Sequence, residues 1–147
     1  MDETQGAGMN REAFFWQVQD GRVAPPRAAQ TLGIRIVHTD AEAGTIETAF
    51  HGREEFTNPA GNIQGGFLAA MLDDTMGPAL AATLAAGEFA PTLDLHVQFI
   101  SPALPGELTG RGRVVRRGGK VCFLSAELMQ EGRLVASATA TALVCKV

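Results

Sequence analysis

The chain has 147 residues, 46% apolar and 19% charged, the size and balance of one globular domain able to bury a core. A net charge of −4 and an isoelectric point near 5.3 leave no broad electrostatic footprint for DNA or RNA. The longest apolar runs, such as Phe67–Leu72, are far too short to cross a bilayer.

The N-terminal MDETQGAGMN has neither a basic region nor an apolar one, so it does not read as a secretory signal. Residues 1–8 are polar and Gly-rich and are expected to be flexible, with a single domain over residues 9–147. From Met9 to Asp20, Phe14, Phe15 and Val18 fall near helical spacing, which predicts a short helix ended by Gly21 and followed by Pro25-Pro26. Leu32, Ile34 and Ile36 alternate with polar or small residues and predict a first strand through His38. A second strand is predicted over Thr45–Phe50. The segment His51–Gln64, with Asn58-Pro59 and Gly61-Asn62, reads as a loop.

GGFLAAMLDDTMGPALAATLAAG, beginning at Gly65, is the one long stretch of strong helix formers. Its first turns are apolar nearly all round, the mark of a buried helix, and Gly77-Pro78 is expected to kink it. Beyond Gly87 the period becomes two. Leu93, Leu95, Val97 and Phe99 alternate with polar residues, and Glu107–Arg117, Lys120–Gln130 and Arg133–Val144 read as three further strands. Gly118-Gly119 and Glu131-Gly132 suit two-residue hairpin turns. Two strands, a long buried helix and four more strands make an α+β arrangement, an antiparallel sheet wrapped around one central helix. Cys122 and Cys145 show no ligand or disulfide pattern and suit a reducing cytoplasm.

Gly65 and Gly66 open the helix, where backbone N–H groups lack helical partners and the macrodipole is positive. Donors of this kind suit a carbonyl oxygen that becomes an oxyanion, although paired glycines also serve tight turns and close packing. Asp73 follows LAAML in the same helix, and a carboxylate there is either functional or placed where the helix emerges to solvent. Asp74 lies about 100° round the helix, and periodicity does not choose between the two acids. Eight residues separate Gly65 from Asp73, about 12 Å along a helix. If both act on one carbonyl, they come from different subunits of a dimer.

Asn58-Pro-x-Gly-x-x-Gln64-Gly-Gly, followed by Leu72-Asp73-Asp74-Thr-Met-Gly, resembles the signature of PaaI-type hotdog thioesterases. Thr92-Leu93-Asp94-Leu95, Phe99-Ile100-Ser101-Pro102-Ala103 and Arg117-Gly118-Gly119-Lys120 are similar to the same family, so the resemblance covers about Leu32 to Val144. It implies a hotdog fold, hydrolysis of acyl-CoA to a carboxylic acid and CoA, no cofactor beyond the CoA of the substrate, and a homodimer paired again into a homotetramer. By the same resemblance, Gly65 N–H polarises the acyl carbonyl and Asn58 places its amide near the thioester or the attacking water. Asp73, rather than Asp74, is the base or nucleophile, contributed by the partner subunit, and Thr92 assists the water. Gln64 stands where many relatives carry His. It can orient the loop or the carbonyl but cannot titrate. Gly66 would lie against the substrate, and of the cations Arg113, Arg116, Arg117 and Lys120, the resemblance favours the turn Arg117, Gly118, Gly119, Lys120 for the CoA phosphates.

His38, His51 and His96 lack metal-ligand spacing, so no metal is expected. Two other readings compete. A hotdog hydratase or dehydratase would want a His on or just before the central helix, where this chain has none. A non-catalytic acyl-CoA-binding domain would typically lack the acid. Phe14, Phe15 and Trp16 either pack onto the domain or close over an acyl tunnel.

Overall fold

The run of strong helix formers after Gln64 is a helix in the computed structural model: α3, Gly65–Ala81. The structure describes residues 10–147, so the flexible segment expected at residues 1–8 lies outside the described residues. Leu68, Met71, Leu72, Thr75, Met76, Ala79 and Leu80 of α3 are buried, a wide apolar face that only an enclosing sheet can cover.

That sheet is antiparallel and six-stranded. Its strands are β1 (Arg35–Asp40), β2 (Thr45–Gly52), β4 (Thr92–Phe99), β5 (Gly106–Arg117), β6 (Val121–Gln130) and β7 (Arg133–Leu143), in the order β1-β2-β5-β6-β7-β4. The fold is α+β, the hotdog architecture. Alternation sets the faces. Cys122, Leu124, Ala126 and Leu128 of β6 are buried in the same core as α3, while Phe123 and Glu127 are exposed.

Small residues bring the helix close to the sheet. Ala136, Ala138, Ala140 and Ala142 line the buried face of β7, and on β5 a Cβ at Gly110 would collide with the hydroxyls of Thr48 and Thr75. Thr75 Oγ1 donates to the Met71 carbonyl at 2.8 Å and lies 2.9 Å from Thr48 Oγ1. Two buried hydroxyls are thereby satisfied where β2 meets the helix.

The structure corrects several expectations. The first helix, α1, is confined to Phe14–Gln19, and a second helix, α2 (Arg27–Leu32), takes up Leu32, which the alternation assigns to a strand. Pro26 supplies the extended N-cap of α2, and Gly33, at φ +68°, supplies a left-handed C-cap. The first strand therefore starts at Arg35. Residues Glu54–Phe56 of the expected loop form a 3-10 turn. Helix α3 runs on through Gly77-Pro78 to Ala81, with Pro78 lacking the hydrogen bond to the Asp74 carbonyl. Two short strands, β3 (Glu88–Phe89) and β8 (Cys145–Lys146), pair separately. The β5–β6 connection has three residues, Gly118–Lys120, whereas Glu131-Gly132 is a two-residue turn with both φ values positive, +50° and +75°.

Strand β4 is an edge, bonded to β7 on one side only. Every one of its residues is exposed or half-buried, Leu93 at 59% and Phe99 at 56%. An apolar edge of this length offers a template for another strand. No helix among the described residues is long and apolar enough to cross a membrane.

Candidate active site

The loop ahead of α3 is built by Asn58. Its side-chain oxygen accepts the N–H groups of Ala60 (3.0 Å) and Asn62 (3.1 Å), and its backbone N–H donates to the Asn62 carbonyl at 2.8 Å. With Oδ1 committed to the loop, only the Asn58 Nδ2 hydrogens remain to meet a ligand. Ile63 N–H donates to Ala103 O and Gln64 N–H to Phe56 O, both at 2.8 Å, which fixes the entry into the helix.

Gln64 is the N-cap of α3, in extended conformation, and its exposed side chain makes no capping bond. Gly65 and Gly66 follow, and their N–H groups have no acceptor among the described residues. A Cβ on Gly66 would meet nothing within 4 Å, so the backbone there is open to approach. A Cβ on Gly65 would sit 3.1 Å from the Phe99 ring. Sequence pattern gave Phe99 a place in the Phe99-Ile100-Ser101-Pro102-Ala103 run but no role in the site. It is simply one apolar residue of an alternating strand until the fold lays its ring against the glycine.

Asp73 is half-buried two turns further along α3. The Thr92 hydroxyl, at the start of β4, donates to Asp73 Oδ1 at 2.8 Å. Two residues picked from distant parts of the sequence thus meet. The bond orients the carboxylate and leaves Oδ2 without a donor among the described residues. Within one chain, however, Gly65 and Asp73 remain about 12 Å apart along the helix.

The Arg117 turn lies elsewhere. Arg117 Nε donates to Thr83 Oγ1 at 3.0 Å, just past the C-terminal end of α3, and Nη1 donates to the Gly118 carbonyl at 2.6 Å. Its guanidinium is therefore partly occupied in holding the turn. Gly118 is required there, since a Cβ would run into the Val121 carbonyl, while Gly119 and Lys120 are exposed or open. From Asp73 to Thr83 is about 15 Å by helix rise. A hollow of about 540 Å³ on the outer face of the sheet, lined by residues including His38, His96, Arg111 and Arg113, contains none of the expected catalytic residues.

Asp74 points a different way from Asp73. It lines a cavity of about 220 Å³ between α1, α3 and β3, and its Oδ2 is buried with no hydrogen-bond partner. Burial, and secondarily the Asp73 carboxylate, push the Asp74 carboxyl from 3.8 to about 7. Below about pH 4 the group is protonated in folded and unfolded chains alike, and between about 4 and 7 only the folded chain keeps the proton. Its contribution to stability is full below about pH 4 and is lost as pH rises through about 7, a loss on the order of a few kcal/mol. Urea unfolding is therefore expected to show lower stability at about pH 8 than at about pH 5, and Asp74→Asn should remove this group's share of the difference.

Comparison with known proteins places these features. The family model of the thioesterase superfamily matches residues 60–137, from the loop before α3 into β7. The phenylacetic acid degradation-related protein of Ralstonia eutropha JMP134 superposes with a TM-score of 0.87 at 44% identity, over 88% of this chain and 98% of that one. The E. coli PaaI protein from the phenylacetic acid degradation operon shares the fold at a TM-score of 0.76 and 20% identity, covering 90% of this chain and 93% of its own. Acyl-coenzyme A thioesterase 13 of Homo sapiens is 29% identical over 105 residues, 69% of this chain and 74% of that protein.

Proposed function

Since the chain belongs to the thioesterase superfamily, we propose that it hydrolyses acyl-CoA thioesters at a site completed by a second copy of itself. The observation that carries this reading is the disposition of the two constellations along the free edge of β4. Phe99, at one end of the strand, lies against Gly65, and Thr92, at the other end, holds Asp73. Two copies that pair their β4 edges antiparallel across a two-fold axis bring the Thr92 end of one against the Phe99 end of the other. The partner's Gly65 then faces Asp73 across the seam. The 12 Å gap within a chain is closed between chains.

In such a site the free N–H of the partner's Gly65, at the positive end of a helix, donates to the thioester carbonyl oxygen. Asp73, oriented by Thr92, takes a proton from water as the water oxygen bonds to the carbonyl carbon. The tetrahedral oxyanion collapses, the C–S bond breaks, and CoA leaves as a thiolate that needs little protonic help. The alternative step, attack by Asp73 itself, gives a mixed anhydride that water then opens. Asn58 and Gln64 supply the remaining amide donors near the carbonyl, with Gly66 lying open beside them. Arg117, Gly118, Gly119 and Lys120 receive the CoA phosphates, the dimer pairs again into a tetramer, and the free thiols Cys122 and Cys145 suit a cytoplasmic protein.

The purified protein, given acetyl-, hexanoyl-, decanoyl- and phenylacetyl-CoA with a thiol-detecting reagent, is expected to release CoA from at least one. Release from none would overturn the reading.

A further inference from the structure

We infer that Asp94 and His96 are positioning residues that set the register of the β4 seam: the two-fold axis passes at Leu95, and Asp94 of each copy pairs with the partner's His96. This rests on the reading above, in which two copies join their β4 edges to complete the site, and adds the alignment of those edges.

The faces of β4 are fixed by its pairing with β7. Leu95 and Val97 lie opposite Ala140 and Ala138 and pack on the core. Asp94, His96 and Gln98 lie opposite Thr141, Thr139 and Ser137 and are exposed on the outer face. A bulge between Thr92 and Asp94 breaks the alternation. It turns Thr92 to the helix side, where the hydroxyl reaches Asp73, although Asp94 is only two residues away.

Residues directly opposite in an antiparallel pair carry their side chains on one face. A two-fold axis through such a seam therefore passes at a residue and never between two. Bringing the Thr92 end against the partner's Phe99 places the axis midway along the strand, at Leu95 or at His96. With His96 on the axis, two imidazoles face each other and Asp94 meets the partner's Gln98. With Leu95 on the axis, two leucines meet on the core side, and two carboxylate–imidazole pairs flank them on the outer side. Neither Asp94 nor His96 forms an ion pair among the described residues, so both are available to the seam. The other charged groups around His96, which line the same outer hollow, are His38, Glu47, Arg111, Arg113 and Glu127. They stand alike in either register and do not choose between the two.

Oxidative cross-linking of the full chain reads the register without reference to activity. Leu95→Cys should give a disulfide-linked dimer, with the linked peptide separating it from any bond through Cys122 or Cys145. His96→Cys should link far less, because its two copies would stand diagonally at roughly 7–8 Å, beyond ordinary disulfide reach. Linking at both positions alike, at His96→Cys alone, or at neither would overturn the register. Asp94→Asn should weaken the dimer about 2- to 30-fold, the worth of two opposite-charge pairs. His96→Glu should weaken it further, and the double exchange Asp94→Lys with His96→Glu should restore assembly and CoA release together. Failure of that rescue would overturn the pairing. An imidazole is charged below about pH 6.5 and a carboxylate above about pH 4, so the wild-type dimer should be tightest between these values and loosen toward about pH 8. His96→Gln should flatten that trend, and a wild-type dimer equally tight at both ends of it would count against the pairs. A dimer of this register that releases CoA from no thioester would keep the seam and overturn the thioesterase reading. A strictly monomeric protein would overturn both.

Discussion

Asp73→Asn is expected to lower kcat for the best acyl-CoA substrate by about 10²- to 10⁴-fold, the range that a positioned general base contributes. Asparagine keeps the size of the side chain and can still accept the Thr92 hydroxyl, now 2.8 Å from Oδ1. What it loses is the capacity to take a proton from water or to attack carbon. KM should change far less than kcat, because the carboxylate acts in the transition state rather than in ground-state binding. Circular dichroism and oligomeric mass should match the wild type. Activity within a few-fold of the wild type would mean that Asp73 is not the group that activates the nucleophile. A single turnover in labelled water tests for the anhydride, since one opened at the Asp73 carbonyl leaves label in the Asp73 carboxylate, whereas direct water attack leaves it only in the product.

Gly65→Pro should be nearly as damaging, about 10²- to 10³-fold in kcat, the usual consequence of losing one oxyanion donor. Proline removes the N–H and little else. Gly65 is the first residue of α3, the helical position where proline is best tolerated, and Gln64 before it is already extended at φ −63° and ψ 141°. The added ring atoms come up against Phe99, an exposed side chain that can shift. Gly65→Ala makes the same contact while keeping the donor, so its loss should be clearly the smaller one. If alanine and proline were equally harmful, crowding at Phe99 rather than the missing hydrogen would be responsible.

Periodicity makes the core of the fold legible. The change from a helical run after Gln64 to period two after Gly87 locates α3 and β4 to β7 within a few residues. Leu32 shows the limit. It joins Ile34 and Ile36 in an alternating trio, yet the Pro26 cap and the left-handed Gly33 make it the end of a helix, a turn-level signal that outweighs three apolar residues. The short pair β3–β8 carries no periodic signal at all, because two residues are too few for a period and the pairing forms only when the fold brings Glu88–Phe89 beside Cys145–Lys146.

The site divides in the same way. Local chemistry, the glycines opening a helix and the acid two turns on, can be read directly. The separate roles of Asp73 and Thr92 come from a family resemblance, and the bond between them appears only in the fold. Asp74 illustrates what a linear pattern hides, since two adjacent acids look equivalent until one is found reaching β4 and the other lining an apolar wall.

The most direct test of a site shared between chains is to co-express the Asp73→Asn and Gly65→Pro chains under separate tags and to purify the mixed dimer. One of its two sites would combine the intact Gly65 of the first chain with the intact Asp73 of the second, and the other would carry both lesions. The mixed dimer is expected to recover about half of wild-type activity, although each parent is nearly inactive. A mixed dimer as inactive as its parents would show that both groups act within one chain.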